Sequence, residues 1–216
     1  MIIVKIIGGL GNQLFQYALG RRLAMRNNTE LKLDITGFEE YKIHRYSLSH
    51  FNIIENFATQ EDVARFQRYK RKQGRKWFLY NKFIANERKY VQERQFHFDP
   101  RILAIKSDAY LDGFWQTEKY FKGIEDLIRK EVTVKTPLSG KDAEVAREIA
   151  GAASVMMHIR RGDYVSNQAT NDYHGTCTPD YYSKAAALIA EKVSTPHFFI
   201  FSDDHKWVKE NIVLDY

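Results

Sequence analysis

The sequence predicts an α/β protein with two domains, each containing a parallel sheet. A β-branched run from Met1 to Ile7 leads through a glycine turn into a helical pattern and then into a second strand at Leu31 to Leu33. That order is a βαβ unit, the building block of α/β folds. A second pattern of strand followed by helix begins after Gly151, so we expect domains over residues 1–150 and 151–216.

Each element of the first domain has its own pattern. The opening run is nearly all apolar, as in strands that are buried on both faces. Gly8 to Gly11 forces a tight turn, and from Asn12 the apolar residues recur every three or four positions, which is typical of a helix. The same spacing predicts helices over 60–80 and 118–130, and a strand is predicted over 110–115.

The second domain is expected to follow a linking helix over 142–150. Alternating apolar residues predict a strand at 155–159, and the cap pattern Thr178-Pro179-Asp180 begins a further helix. A strand at 197–201 and a helix at 206–212 complete the pattern. Two strands and two helices cannot cover both faces of a parallel sheet, so we expect this domain to be incomplete.

The composition is that of a folded protein. With 216 residues, of which 44% are hydrophobic and 14% aromatic, the chain has enough apolar side chains to build a core. Its single cysteine, Cys177, fits a reducing compartment, and no apolar run approaches the ~18 residues that a membrane span requires. We therefore expect a cytoplasmic protein.

Positive charge is concentrated in one segment. Residues 65–94 hold eleven Lys or Arg against two Glu, a net charge of +9, whereas the whole chain carries +6. We expect this basic segment to face an anionic membrane surface or an anionic, lipid-linked acceptor. A nucleotide- or nucleic-acid-binding module is the alternative. The helical spacing of the segment's aromatic residues instead favours a buried stripe with solvated cations behind it, so we expect no nucleic-acid partner.

The first candidate site is the glycine turn, Gly8-Gly9-Leu10-Gly11-Asn12-Gln13. Glycines between a strand and a helix let backbone amides approach an anion at the helix N-terminus. A tight turn with a purely structural role fits the pattern equally well. The turn lacks the third glycine of the dinucleotide fingerprint, and no Walker sequence follows. The candidate ligand contacts are Gly9, Gly11, Asn12 and Gln13.

The second candidate site is His158-Ile159-Arg160-Arg161-Gly162-Asp163, at the end of a predicted strand. Residues two apart on a strand share a face, so His158 and Arg160 point to the same side, at the edge where α/β sheets bind ligands. Paired guanidinium donors at that edge suit a pyrophosphate. The alternative is an exposed strand end in which Arg161 pairs with Asp163.

Two further polar groups follow this motif. Ser202 and Asp203 come directly after a predicted strand and offer acceptors for the donors of a guanine edge, whereas Asp204 is more simply a helix cap. His174 lies in a polar loop, where it would face the sugar or take part in proton transfer. A hydrogen bond within the loop is the alternative for His174.

Several catalytic patterns are missing from the sequence. It contains no Asp-x-Asp, no His-Glu-x-x-His, no Gly-x-Ser-x-Gly and no cysteine pair. If a diphosphate leaves at this site, we expect arginine to stabilise its charge in place of a metal ion. We expect no cofactor.

These motifs resemble those of the bacterial α1,2-fucosyltransferases of glycosyltransferase family 11. The run Gly8 to Ala18 is similar to the family's amino-terminal signature, and His158 to Asp163 matches its His-x-Arg-Arg-x-Asp motif. Phe199 to Asp204 also resembles a family segment, and the similarities follow the family's order along the chain. The Ser/Trp-rich segment that ends the family pattern has no counterpart before Tyr216, which leaves a catalytically inactive folded fragment as a further alternative.

The resemblance implies a GT-B-like arrangement of two Rossmann-like domains. It also implies GDP-fucose as donor, the 2-hydroxyl of a galactoside as acceptor, inversion at the anomeric carbon and no metal requirement. Arg160 and Arg161 would hold the pyrophosphate, while His158 and Asp163 would shape the pocket. We expect GDP at the carboxyl ends of the second domain's strands, with the glycine turn closing over sugar and acceptor. Asp163 and His174 are the candidates for the base that deprotonates the acceptor.

Overall fold

The computed structural model describes residues 1–40, 43–71, 90–106, 108–166, 168, 171–172 and 175–214. The chain forms two compact units, Met1–Thr136 and Pro137–Tyr216. The predicted linking helix belongs to the second of them. No helix within the described ranges is long and apolar enough to cross a membrane.

The first unit contains a four-stranded parallel sheet in the order β2-β1-β4-β3. Its strands are β1 (Ile2–Lys5), β2 (Leu31–Asp34), β3 (Tyr90–Gln92) and β4 (Ala109–Asp112). Each neighbouring pair is parallel, and Ile2 is aligned with both Leu31 and Ala109. The parallel α/β class predicted from the sequence is confirmed, although the sequence pattern does not predict β3, which lies inside the basic segment.

Helices cover both faces of this sheet. The helix α1 (Leu10–Arg26) packs on one face, where Gly20 permits a close approach, because a Cβ atom on Gly20 would lie 2.3 Å from Val4 Cγ2. The helix α2 (Gln60–Arg71) packs on the other face through Phe66. The sheet is therefore buried on both sides, which explains why Ile2, Ile3 and Val4 of β1 are all apolar.

The short helices α3 (Pro100–Leu103) and α4 (Glu125–Glu131) lie in the connections after β3 and β4. The single helix predicted over 118–130 is wrong, since a 3₁₀ turn at Glu118–Tyr120 precedes α4. Gly123 separates the two with φ +96°, a left-handed conformation that interrupts an α-helix. The part of the predicted helix 60–80 beyond Arg71 lies outside the described residues.

In the second unit, β5 and β6 pair in parallel. Its described elements are α5 (Gly140–Gly151), β5 (Ser154–Ile159), α6 (Gly162–Ser166), α7 (Pro179–Ala190), β6 (His197–Ser202) and α8 (His205–Asn211). The helix α7 begins at the predicted cap, where the Thr178 side chain accepts a hydrogen bond from the backbone N–H of Tyr181. One face of the sheet packs against α7 through Ile159 and Tyr182.

Candidate functional site

The carboxyl ends of β5 and β6 lie side by side, because Ile159 is aligned with Ser202. Polar connections leave both ends: Arg160 to Gly162 leads into α6, and Asp203-Asp204 leads into α8. The structure thus brings the arginine motif and the Ser-Asp-Asp segment together at one edge of the sheet. This is the edge at which open parallel sheets bind ligands.

The Asp203 carboxylate holds the connection that follows β5. It accepts a hydrogen bond of 2.8 Å from the backbone N–H of Arg161, and its Oδ2 would lie 2.9 Å from a Cβ atom on Gly162. Burial raises the pKa of this carboxyl, but hydrogen bonds from the N–H groups of Arg161 and Gly162 and the charge of Arg160 outweigh burial, so the net pKa is lowered. Asp203 therefore anchors the arginine motif in its ionised form.

Arg161 is held by two partners. Its guanidinium carbon lies 3.8 Å from the centre of the Trp207 ring, and its Nε lies 3.4 Å from Asp204 Oδ2. The side chain is only 16% exposed. The ion pair that the structure describes is therefore with Asp204, while the side chain of Asp163, the partner considered from the sequence, lies outside the described part.

Asp204 and Ser202 stabilise the start of α8. Asp204 Oδ1 accepts a hydrogen bond of 3.1 Å from the backbone N–H of Trp207, and the Asp204 N–H donates to Ser202 Oγ at 3.0 Å. The helix-cap interpretation of Asp204 is confirmed. A contact of Ser202 or Asp203 with guanine stays a prediction.

Arg160 has different surroundings from Arg161. Its side chain is half-buried, and its guanidinium carbon lies 4.7 Å from the ring centre of Tyr164. His158, two residues earlier, is exposed on β5. The side chain of Asp163 and the whole of His174 lie outside the described residues, so their proposed roles stay predictions.

Three connections meet at the carboxyl edge of the first sheet. They contain Gly8 to Asn12 after β1, His44 to Ser47 after β2 and Gly113 to Gln116 after β4. Gln116 Nε2 donates a hydrogen bond of 2.6 Å to Asn12 Oδ1, which joins the first connection to the third. The first unit therefore has its own candidate binding edge, with the predicted glycine turn in it.

The glycines of the turn have different structural explanations. Gly8 has φ +82°, and a Cβ atom there would lie 2.6 Å from Asn12 Nδ2, so the turn requires glycine at this position. Gly9 has φ −70° and ψ 169°, which any residue adopts, and a Cβ atom on Gly11 would meet nothing within 4 Å. The fold explains the glycine at position 8 but not those at positions 9 and 11.

Gln13 is completely buried and ties the first two connections together. Its Nε2 donates to the carbonyl oxygens of Gly8 and Arg45 at 2.8 and 2.9 Å, and its Oε1 accepts from the Ser47 N–H at 2.9 Å. The sequence suggests Gln13 as a ligand contact, whereas its hydrogen bonds in the structure go to backbone groups. It holds the connection after β2 against the glycine turn.

The structure also places at this edge residues that the sequence patterns do not identify. A Cβ atom on Gly9 would lie 3.6 Å from the His44 ring, and the Glu93 carboxylate accepts hydrogen bonds from the N–H groups of Phe114 and Trp115 at 2.6 and 3.1 Å. Trp115 has φ +57° and is buried with an indole N–H that has no hydrogen-bond partner among the described residues. Backbone strain and unsatisfied donors of this kind concentrate at functional sites. His44, Glu93 and Trp115 belong to no motif, because they lie in different connections of the chain.

Comparison with known proteins identifies the family. A family model described as Glycosyl transferase family 11 matches residues 1–216. The chain belongs to glycosyl transferase family 11. The resemblance inferred from the motifs is thereby confirmed, and this family 11 protein is a glycosyltransferase.

The family 11 protein is similar to several named proteins. It is 32% identical, over 97% of its length, to an Escherichia coli alpha-1,2-colitosyltransferase, of which it covers 71%. It is 28% identical, over 94% of its length, to the Escherichia coli O-antigen biosynthesis glycosyltransferase WbnK, of which it covers 72%. It is also 32% identical to a Caenorhabditis elegans galactoside 2-alpha-L-fucosyltransferase. That alignment covers 54% of this chain and 33% of the length of the Caenorhabditis elegans protein.

Among solved structures, that of POFUT1 in complex with GDP-fucose aligns with the family 11 protein. The alignment covers 97% of this chain and 80% of the other, with 15% sequence identity and a TM-score of 0.34. A TM-score at that level supports no conclusion about fold or function.

Proposed function

We propose that the family 11 protein transfers fucose from GDP-fucose to the 2-hydroxyl of a galactoside in a glycan, with inversion at the anomeric carbon. The observation that carries the proposal is the anchored arginine pair, Arg160 and Arg161, beside Asp203 at the carboxyl edge of β5 and β6. The similarity to a protein named galactoside 2-alpha-L-fucosyltransferase supports the sugar and the linkage.

GDP-colitose is a second candidate donor. The supporting observation is the 32% identity, over 97% of this chain, to a protein named alpha-1,2-colitosyltransferase. Fucose and colitose are both 6-deoxy sugars and differ at carbon 3, so a single pyrophosphate site would serve either donor. The choice between them then depends on contacts to one hydroxyl group of the sugar.

The two arginines have separate tasks in this proposal. The guanidinium of Arg161 is engaged by Trp207 and Asp204, so we assign to Arg161 the task of fixing the loop. Arg160 then binds the pyrophosphate, with His158 shaping the pocket and with Ser202 and Asp203 as candidate guanine contacts. A preorganised guanidinium at this edge stabilises the negative charge that GDP gains as it leaves.

The reaction forms one bond and breaks one. The acceptor oxygen bonds to the anomeric carbon while the bond from that carbon to the phosphate oxygen breaks, and its electron pair leaves with GDP. The proton of the acceptor hydroxyl passes to a base, for which Asp163 and His174 are the candidates. Arg160 stabilises the leaving group through its charge and its N–H donors.

The first unit supplies the acceptor side in this proposal. Gly9 and Gly11 are not required by the fold and leave the backbone at the start of α1 accessible to a ligand. The basic segment 65–94 is proposed to contact an anionic membrane surface or a lipid-linked acceptor; residues 72–89 of it lie outside the described part. The GT-B-like pairing of the two units is likewise a proposal.

We also propose that transfer requires no divalent cation. The sequence has no Asp-x-Asp, and within the described residues no group of three or more His, Cys, Asp or Glu side chains is placed to hold a metal ion. The guanidinium of Arg160 is the proposed replacement for the cation. Activity that falls on addition of EDTA and returns with Mg²⁺ or Mn²⁺ would contradict this part of the proposal.

Binding and transfer assays test the donor and the linkage. Calorimetry is expected to show tighter binding of GDP than of ADP or UDP, with the same affinity in EDTA. Transfer from GDP-fucose and GDP-colitose to methyl β-galactoside is expected to give a 1,2-linked product, identified by NMR. Equal affinity for UDP rules out the guanine assignment, and a product linked elsewhere on the galactoside rules out the acceptor assignment.

A further inference from the structure

We propose that His44 is an acceptor-binding residue that contacts a hydroxyl group of the acceptor sugar. The inference rests on the proposed function, which assigns the acceptor to the first unit. It concerns a residue that no motif marks and that lies outside both candidate sites identified from the sequence.

The position of His44 relative to the glycine turn is the first observation. Three atoms of its ring lie 3.6 to 3.9 Å from the place where a Cβ atom on Gly9 would stand. The backbone conformation of Gly9 does not require glycine, and a Cβ atom on Gly11 would meet no other atom within 4 Å. The imidazole and the exposed backbone at the start of α1 therefore border the same surface.

The second observation is the clamp that positions His44. The buried amide of Gln13 bonds to the Arg45 carbonyl and the Ser47 N–H, which are the first and third residues after His44. A third hydrogen bond of 3.1 Å, from Ser47 Oγ to the Arg45 carbonyl, stiffens the same stretch. The fully buried Gln13 side chain thus holds this connection against the turn. Such support is expected where a binding residue, here His44, is positioned before its ligand arrives.

The chemistry of the side chain suits a sugar hydroxyl. A ring nitrogen of histidine forms hydrogen bonds, and a hydroxyl group can serve it as either donor or acceptor. The His44 side chain is half-buried, so part of it remains accessible to a ligand.

Steady-state kinetics of His44→Ala and His44→Gln test the inference. The KM for methyl β-galactoside is expected to rise on the order of tenfold in His44→Ala, the effect of losing one hydrogen bond, and less in His44→Gln. Hydrolysis of GDP-fucose without acceptor, and GDP binding, should stay at wild-type levels. The control is His50→Gln, because His50 is an exposed histidine of the same connection.

The possible results separate the two proposals. An unchanged KM in both His44 variants, or donor hydrolysis that falls in step with transfer, overturns the acceptor role of His44. A wild-type protein that transfers neither fucose nor colitose overturns the proposed function instead. If the variants do not fold, the NMR signals of the wild-type His44 ring decide, since they should shift on addition of methyl β-galactoside with GDP present and stay in place if the inference is wrong.

Discussion

The adjacent arginines of the motif have different surroundings in the structure. The Arg161 side chain stacks on Trp207 and pairs with Asp204, so its loss removes interactions within the fold. Arg160 stacks on Tyr164 and lies close enough to Asp203 to lower the pKa of that carboxyl. The two positions should therefore respond differently to the same substitution.

We predict that Arg160→Ala lowers turnover on the order of 10²–10³-fold, the usual cost of removing a preorganised donor to the transition state. Arg160→Lys should restore little of it, because a point charge cannot reproduce the planar fork. Arg161→Ala should lower the free energy of unfolding by about 1–2 kcal/mol, since it loses a cation–π contact and an ion pair. Thermal denaturation and transfer assays are measured on the same preparations.

The matched control for both substitutions is Arg147→Ala, because Arg147 is an exposed arginine of α5. It should leave stability and turnover unchanged. A stable Arg160→Ala variant with wild-type turnover contradicts the assignment of the pyrophosphate to Arg160. Wild-type stability of Arg161→Ala contradicts the structural role of Arg161.

Individual residues mark the limit of prediction from the sequence. The glycine turn and the arginine motif are visible because several unusual residues stand together, but their roles depend on where each hydrogen bond goes. Gln13 belongs to a motif and bonds to the backbone of the connection after β2. His44 belongs to no motif, because only the folding of that connection brings it to the turn.

At the scale of elements, two glycines near the start of α1 differ, because the fold requires glycine at position 8 but not at position 11. We predict that Gly11→Ala raises the free energy of unfolding by about 0.5–1 kcal/mol, since alanine favours the helix and meets open space, while it weakens ligand binding at the turn. Gly8→Ala should be destabilising by about 1–3 kcal/mol because of the positive φ and the contact with Asn12. Urea denaturation measures the stability of both variants, and kinetics with the acceptor measure ligand binding. A Gly11→Ala variant that is less stable than wild type, or whose kinetics are unchanged, counts against this explanation of the turn.

The start of α2 gives a pH-dependent prediction. Asp62 Oδ2 accepts hydrogen bonds from Lys32 Nζ at 2.8 Å and from the Thr59 N–H at 3.0 Å, while Thr59 Oγ1 accepts from the Asp62 N–H. The hydrogen bond from Lys32 is the largest cause that lowers the pKa of Asp62, from 3.8 to about 2. A carboxyl with a lowered pKa stabilises the fold above its unfolded pKa, and this contribution disappears as pH falls through the folded value.

We therefore predict that Asp62→Asn is less stable than wild type at pH 7, by about 1 kcal/mol once solvent screening is allowed for, and that the difference shrinks toward pH 2. Chemical denaturation at a series of pH values measures the difference. Glu61→Gln, at the exposed neighbouring position, is the control. A difference that stays constant down to pH 2 would exclude the ion pair as its source.

The elements that sequence reasoning found are those with long, regular patterns. The helices α1, α5, α7 and α8 and the strands β1, β2, β4, β5 and β6 follow from apolar periodicity and capping residues. The strand β3 has only three residues and lies in a segment dominated by cations, so no period could be seen. The break at Gly123 depends on a left-handed backbone conformation that a helical pattern does not reveal.

At the scale of the whole molecule, the two-unit α/β organisation could be predicted because each unit has its own strand and helix pattern. The boundary between the units, at Thr136 and Pro137, lies before the helix that the sequence pattern suggests as a link between domains. The proposed assignment of donor and acceptor to different units has a measurable consequence. Each ligand should protect a different part of the chain from hydrogen exchange.

We predict that GDP slows amide exchange in peptides covering 159–162 and 202–205, at the ends of β5 and β6. Methyl β-galactoside, added with GDP, should give further protection over 8–13 and 44–47, at the edge of the first sheet. Hydrogen-exchange mass spectrometry measures both sets in one experiment, and ADP serves as the control ligand. Protection by GDP confined to the first unit would reverse the assignment of the two sites.

The close fit of Asp203 against Gly162 makes these two positions dependent on each other. A side chain at 162 would displace the carboxylate that fixes the arginine loop. A substitution at 162 therefore changes the surroundings of residue 203, even though 41 positions separate the two along the chain. A library built to alter donor preference in this protein should therefore vary the two codons jointly, because a change at 162 moves the carboxylate at 203.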